Sequence, residues 1–196
     1  MSDQLNDTAI EQQLDFLREI DILKSVIRKS PLIDQSRREN SAEHSWHLAM
    51  YALILKDCSD KEINIDRVIK MLLIHDIVEI DAGDHPIHET SDNTAQEEAE
   101  QKAAERIFGL LPTSQGEELK AFWYEFETAE SNDAVFAKSL DRLQPLIHNV
   151  ATEGGTWGEG NVSHEQVKQR YGSVISAGSK RIWSLVQKLV SQHFQR

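Results

Sequence analysis

Residues 72–84, LLIHDIVEIDAGD, constrain this chain more than any other stretch. They read as the buried spine of a helix, yet His75, Asp76 and Glu79 stand at their centre. Burying such groups is costly unless they are paired, hydrogen-bonded or bound to a metal. On a helix His75 and Glu79 are i,i+4 and Asp76 and Glu79 are i,i+3. The three therefore lean to one side with Leu72, while Ile74, Ile77 and Val78 pack on the other. A neutral imidazole and an adjacent carboxylate can ligate one divalent ion from a single turn, and the ion's charge compensates the buried carboxylate. A core His–Asp pair satisfied by neighbouring hydrogen bonds accounts for the same residues equally well.

The surrounding chain reads as helix throughout. Ile10, Leu14, Leu17, Ile20 and Leu23, with Val26 and Ile27, recur at helical spacing, and Pro31 follows where that helix should have ended. A second helix runs from near Ser41 to Cys58, with Leu48, Ala49, Ala52 and Leu55 inward. Asp66 is the expected N-cap of a third, Arg67 to Ile80, closed by the turn residues Ala82 to Pro86. Thr94 to Glu97, Ser114 to Glu117 and Ser163 to Gln166 are capping-box patterns that open later helices. Asp133 to Ala151 is helical, with Pro145 a kink. The Gly-rich EGGTWGEGN, residues 153–161, lacks the lysine and strand context of a phosphate loop and reads as a linker or lid. No strand alternation and no long repeat stand out. The expected fold is all-α, a single-domain helical bundle over 1–196.

At 196 residues, 39% of them hydrophobic, one domain can bury a sizeable core. The single Cys58 has no disulfide or zinc-knuckle partner, which fits a reducing, cytoplasmic setting; it reads as a packing residue at a helix end. The start, MSDQLNDTAIEQQ, has no apolar core of a signal peptide, and apolar runs such as Met71 to Ile74 are too short for a membrane span. The net charge of −12 argues against binding a nucleic-acid duplex. It allows a small phosphorylated substrate wherever a local cation offsets the field.

Two further segments tilt the reading of His75-Asp76 toward a metal. His44, in EHSWH, lies on a helix whose other face is apolar. Asp141 sits among Phe136, Leu140 and Leu143. Other features carry less. His47 reads as packing, or as support for a ligand, rather than as a ligand itself. His85 and His88 could form an extra metal site, but a solvated loop is the simpler reading. Trp123, Tyr124 and Phe126 read as helix core rather than a base-stacking platform. Glu97, Glu98 and Glu100 read as a solvated face. Arg37 and Arg38 divide evenly between surface salt bridges and phosphate steering.

The order His44, His75-Asp76, Asp141 resembles the HD-domain phosphohydrolase superfamily. The segments RRENSAEHSWHLAM, LLIHDIVEIDAGD and KSLDRLQPLIHN resemble in particular its branch of 5'-deoxynucleotidases. The likeness covers roughly residues 14–150, with C-terminal helices over 163–194 beyond it. It implies an all-α fold and one divalent cation (Mn, Co, Mg, Zn, Fe or Ni) held by His44, His75, Asp76 and Asp141. Glu79 matches the glutamate that positions or deprotonates the attacking water, and Asp84 the aspartate that contacts the sugar and helps protonate the leaving oxygen. Where the branch places a phosphate-holding arginine before Pro-Leu, this chain has Lys29 with Arg28 beside it. Lysine keeps the charge but loses the bidentate fork.

The resemblance thus implies a metal-dependent phosphomonoesterase acting on (deoxy)nucleoside 5'-monophosphates, with Lys29, Arg28, Arg37 and Arg38 as phosphate contacts. The competing readings are a hydrolase of another phosphorylated nucleotide, such as an alarmone, and a non-catalytic helical module that binds a nucleotide or a partner protein. Family members often pair, so a homodimer is expected. The late stripe Ile182, Leu185, Val186, Leu189 and Val190 could supply the pairing surface, or could equally be core.

Overall fold

Helix α1, Asp7–Glu19, buries only Phe16 and leaves Leu14 and Leu17 exposed. The computed structural model describes residues 7–85 and 93–195. After α1 the chain departs from the continuous helix its apolar spacing predicts. It tightens into a 3-10 turn, Ile20–Ser25, and then extends as strand β1, Ile27–Pro31. Strand β1 pairs antiparallel with β2, Arg38–Asn40, in the register Ile27 with Asn40 and Pro31 with Arg38. Three local causes favour the hairpin. Val26 and Ile27 are β-branched, Pro31 cannot continue a helix, and the Asp34 carboxylate accepts from the Ser36 N–H at 3.0 Å and its hydroxyl at 2.7 Å, closing the turn. This hairpin is the one departure from an all-helical fold among the described residues, and it carries Arg28 and Lys29.

Helix α2, Ser41–Leu55, starts where a capping box forms: the Asn40 side chain accepts from Glu43 N–H, and the Glu43 carboxylate accepts from Asn40 N–H. Helix α3, Ile65–Ile74, is capped by Asn64 rather than by the expected Asp66. The predicted run to Ile80 is broken. A 3-10 turn spans His75–Val78 and a short helix α4 spans Glu79–Ala82, ended by Gly83 at φ +79°. The break begins where the His75 ring nitrogen Nδ1 donates to the Leu72 carbonyl at 3.0 Å, an acceptor that an unbroken helix would give to Asp76 N–H.

Helices α5, Asn93–Phe108, and α6, Thr113–Thr128, follow. Thr94 and Ser114 therefore lie inside their helices and are not caps, whereas Ser163 does form the expected capping box, opening α9. Helix α7, Asn132–Ala151, runs through the middle of the bundle with Pro145 inside it and packs on α2, α3, α6 and α9. The Gly-rich stretch is a fixed element rather than a linker. Helix α8, Gly155–Glu159, is held to α7 because the Asn149 side-chain oxygen accepts from the Thr156 hydroxyl at 2.9 Å and Trp157 N–H at 3.2 Å. Helices α9, His164–Gly178, and α10, Lys180–His193, complete the bundle.

The core is continuous through Leu48, Met71, Leu72, Phe108, Phe136, Leu140 and Leu146, all fully buried. Side chains of this kind stabilise by about 1.5–3 kcal/mol each. Ile182, Val186 and Val190 on α10 join this core, so the late stripe is spent on packing and, of its large apolar side chains, only Leu185 is left exposed. Exposed apolar side chains are found instead on α1 and α2, including Leu17, Trp46, Leu53 and Ile54. Among the described residues no helix is long and apolar enough to cross a membrane.

Candidate metal centre

Three elements deliver four polar side chains to one buried point. Helix α2 supplies His44, fully buried one turn from its start. The 3-10 turn supplies His75 and Asp76, and the middle of α7 supplies Asp141. His44 Nε2 lies 3.1 Å from Asp141 Oδ1 and 3.9 Å from Asp76 Oδ2. His75 Nε2 lies 2.9 Å from Asp76 Oδ1 and 3.6 Å from Asp141 Oδ1.

The donor set fits a divalent cation. Each imidazole turns its outer nitrogen to an acceptor: His75 Nδ1 to the Leu72 carbonyl, and His44 Nδ1 to the Glu39 carboxylate 3.4 Å away. For His75 that hydrogen bond fixes the tautomer and aims the Nε2 lone pair inward, as in metal-ligating histidines, whereas His44 Nδ1 lies beside the Glu39 carboxylate without a well-aligned hydrogen bond. Buried His75 Nε2 faces two carboxylates without a well-aligned hydrogen bond to either. Two carboxylates and an inward lone pair repel unless a positive charge stands among them. Burial opposes a charged His75 ring, yet Asp76 and Asp141 push its pKa up to about 10, so in the metal-free protein a proton serves as that charge.

Around this point lies an acidic shell threaded by two guanidinium groups. Arg28 reaches in from β1, 2.8 Å from Asp76, 3.4 Å from Asp84 and 3.5 Å from Glu79. Arg142 donates to Asp141 Oδ2 at 2.7 Å. Burial pushes Asp76 up, but the His75 and Arg28 charges outweigh it and hold the pKa at about 2. Asp141 is held well below the usual range, Arg142 and the two imidazoles overcoming burial. Glu79 goes the other way. Burial, then the Asp76 charge, lift its carboxyl to about 9 against Arg28 and the Ser41 hydroxyl, which donates to it at 2.5 Å. Asp84 is raised as well, chiefly by burial. One environment thus keeps two carboxyls ionised and inclines two others to hold protons.

These groups floor a cleft of about 490 Å³. It is lined by Arg28, Lys29, Asp84 and His85 and by Lys138, Arg142 and Tyr171, with residues of α8. The size suits a small ligand. Of the expected site residues, His44, His75, Asp76, Asp141, Glu79, Asp84 and Arg28 converge here, and exposed Lys29 lies at the cleft wall. Arg37 and Arg38 do not. Arg37 is clamped by both oxygens of Glu43 at 2.6 and 2.8 Å. Arg38 is held by Glu159 at 2.9 Å and by the Lys29 carbonyl, so both guanidinium groups are engaged in salt bridges. The hairpin also reverses the emphasis between Lys29 and Arg28, because side chains alternate on a strand and Arg28 takes the inward position. His85 lies at the cleft and is exposed, while His88 lies outside the described residues. Trp123 and Phe126 are core, Phe126 lying against the His75 ring at 4.8 Å, whereas Tyr124 is exposed.

Sequence reasoning misses Glu39, Ser41, Lys138, Arg142 and half-buried Glu100. For Lys138 and Arg142 a signal exists in KSLDRL: Lys138 stands three residues before Asp141 and four before Arg142, spacings that share a helix face. The acidic run places Glu100 on a solvated face, but it lines the cleft.

Against this geometry the comparisons with known proteins can be set. The HD-domain family profile matches residues 20–183. A crystal structure of a predicted metal-dependent phosphohydrolase from Magnetospirillum magnetotacticum MS-1 is 49% identical and superposes with a TM-score of 0.91, covering 96% of this chain and 97% of that one. A conserved hypothetical protein from Pyrococcus furiosus, 21% identical at a TM-score of 0.60 over 93% of this chain and 99% of that one, shares the fold. Human 5'-deoxynucleotidase HDDC2 is 33% identical over 138 residues, 68% of this chain and 65% of that protein, so the match spans slightly less than two thirds of this relative's length. The Schizosaccharomyces pombe 5'-deoxynucleotidase hdd1 is 28% identical over 64% of each chain. The chain belongs to the HD-domain family.

Proposed function

We propose that this protein is a metal-dependent phosphohydrolase that converts (deoxy)nucleoside 5'-monophosphates to nucleoside and inorganic phosphate. The observation that carries the reading is the convergence of His44, His75, Asp76 and Asp141, the last three lining a cleft that Arg28, Lys29, Lys138 and Arg142 line as well. The names of the relatives in Homo sapiens and Schizosaccharomyces pombe support the nucleotide class. In this reading one divalent ion is held by those four side chains, where it would polarise a phosphoryl oxygen and acidify a water. Borderline imidazoles and hard carboxylates together suit Mn²⁺, Co²⁺, Fe²⁺ or Zn²⁺.

The remaining roles fall to residues of this chain. Arg28 and Arg142 neutralise the phosphate, and Lys29 and Lys138 add charge in the cleft. Glu79, steadied by Ser41, orients the attacking water and accepts its proton once the neighbouring carboxylates are compensated. Water oxygen bonds to phosphorus as the bond from phosphorus to the 5'-oxygen breaks. Asp84, inclined to hold a proton, supplies it to that leaving oxygen. Full-length protein stripped of metal and reloaded with Mn²⁺ or Co²⁺ should release phosphate from 5'-dAMP or a related monophosphate. Release of pyrophosphate from an alarmone instead would move the substrate class. No turnover across a panel of phosphate esters, with metal bound, would leave only a binding module.

A further inference from the structure

Behind His44, on the side away from the cleft, a second set of metal-ligand side chains meets. Glu39 comes from β2, His47 from α2 and His148 from α7, and one donor atom of each lies within 4.8 Å of the others. None of the three lines the cleft. Glu39 and His148 are buried, and His47 is half-buried, giving the set one face toward solvent.

What stands at the focus is the side-chain nitrogen of fully buried Gln144. Its Nε2 lies 2.7 Å from Glu39 Oε1, 3.2 Å from His148 Nε2 and 3.4 Å from His47 Nδ1. An amide nitrogen has two hydrogens, and here it faces three acceptors. With one hydrogen directed to Glu39 Oε1, a single hydrogen remains for the two facing ring nitrogens, so the set is one donor short. The amide oxygen, Gln144 Oε1, and the second carboxylate oxygen, Glu39 Oε2, are buried without a hydrogen-bond partner. A carboxylate and two imidazole nitrogens therefore surround a point at which a neutral N–H₂ stands in for a positive charge, and the oxygen of the same amide is left without a partner. A buried anion with only neutral donors around it is an expensive arrangement. A cation at that point takes one Glu39 oxygen and both ring nitrogens as ligands. The nitrogen withdraws and the amide turns its oxygen inward as a fourth donor.

We propose that Glu39, His47 and His148, completed by Gln144, form a second divalent-cation site, distinct from the cleft and suited to a zinc-class ion. Two imidazoles, a carboxylate and an amide oxygen are borderline-to-hard donors, and four protein ligands make a closed, structural kind of site. Half-buried His47 is its entry. Because Glu39 Oε2 also lies 3.4 Å from His44 Nδ1, the site braces the ring that faces the first centre.

The test counts metal on the full-length protein, stripped with chelator, reloaded with Co²⁺ and freed of excess by gel filtration. Wild type should carry two equivalents per chain by elemental analysis. His47→Ala and His148→Gln should each carry one, and Asp141→Asn should also carry one. Cobalt spectra tell the sites apart: the intense visible bands of four-coordinate Co²⁺ should survive in Asp141→Asn and vanish in His47→Ala. His47 is only half-buried, so His47→Ala decides the question even if His148→Gln does not fold. One equivalent in wild type, or two in His47→Ala, overturns the proposal and leaves Gln144 as the hub of an ordinary polar network. Neither outcome touches the cleft reading, whose metal centre is refuted separately if Asp141→Asn binds as much metal as wild type.

Discussion

Replacing Arg28 with methionine tests how the acidic centre is held together without its metal. The guanidinium stands 2.8 Å from Asp76, and at an effective dielectric of about 20 a pair of unit charges at that distance attracts by about 6 kcal/mol. Stripping water from the buried guanidinium takes back several kcal/mol of this, but the substitution leaves Asp76 buried with one partner fewer. The net loss is that of breaking a buried pair, about 3–5 kcal/mol. Glu79 and Asp84, at 3.5 and 3.4 Å, add less near neutral pH, because Glu79, lifted to about 9, is already protonated there. Above that value Glu79 ionises in the wild type beside Arg28, whereas in the variant it clings to its proton. The folded variant then binds more protons than the folded wild type, so its deficit grows with rising pH. Urea unfolding in chelator, followed by circular dichroism, reads the change as a lower midpoint at constant slope. A loss under about 1 kcal/mol near neutral pH would show that Arg28 does not hold these carboxylates and would refute the reasoning.

Glu79→Gln should lower kcat by about 10²–10⁴-fold in a phosphate-release assay while leaving the metal content unchanged. Its effect on metal-free stability should be small, since the carboxyl it replaces is already neutral near pH 7. In the metal-free protein His75, raised from 6.5 to about 10, contributes stability that is fully present below about 6.5 and is lost as pH rises through about 10. Metal must displace that proton, so calorimetric affinity for Mn²⁺ should rise with pH across this window, and a flat profile would contradict the assignment. Asp76, lowered from 3.8 to about 2, acts in the opposite sense, its stabilisation vanishing as pH falls through about 2. Gly178→Ala should cost about 1–3 kcal/mol in thermal or urea unfolding, because the added Cβ would overlap the buried Ser139 hydroxyl oxygen at the α7–α9 contact.

Much of the helical layout was legible because its signals are local. Ser163 and Gln166 cap a helix together, and Leu48, Ala49 and Ala52 fall on one face of α2. His44, His75, Asp76 and Asp141 stand out as polar groups in apolar company, which periodicity detects. What stayed hidden depends on partners remote in the chain. Whether Arg28 or Lys29 turns inward is decided by a five-residue strand whose pairing with β2 the apolar spacing gave no sign of. The break at His75 depends on one ring nitrogen choosing the Leu72 carbonyl. Glu39, His47, Gln144 and His148 look unremarkable singly, because only the packing of α2, β2 and α7 makes them a set.

The charge pattern of the cleft also fixes an order of binding. The chain carries a net charge of −12, and three of the cations that could receive a phosphate are engaged with carboxylates: Arg28 with Asp76, Arg142 with Asp141, and Lys138 with Glu127 at 2.9 Å. In the metal-free protein an incoming dianion would have to win these groups from carboxylates already in place, inside a shell where ionised Asp76 and Asp141 repel it. Arg28 and Arg142 can turn to the phosphate only after Asp76 and Asp141 are compensated from elsewhere. Metal and phosphate should therefore bind cooperatively, each tightening the other by the same factor. Calorimetry with inorganic phosphate as the probe should detect binding to Mn²⁺-loaded protein and little to stripped protein, and Arg142→Gln should weaken the former. Equal phosphate affinity with and without metal would mean that the guanidinium groups are available from the start, and that electrostatic order would be wrong.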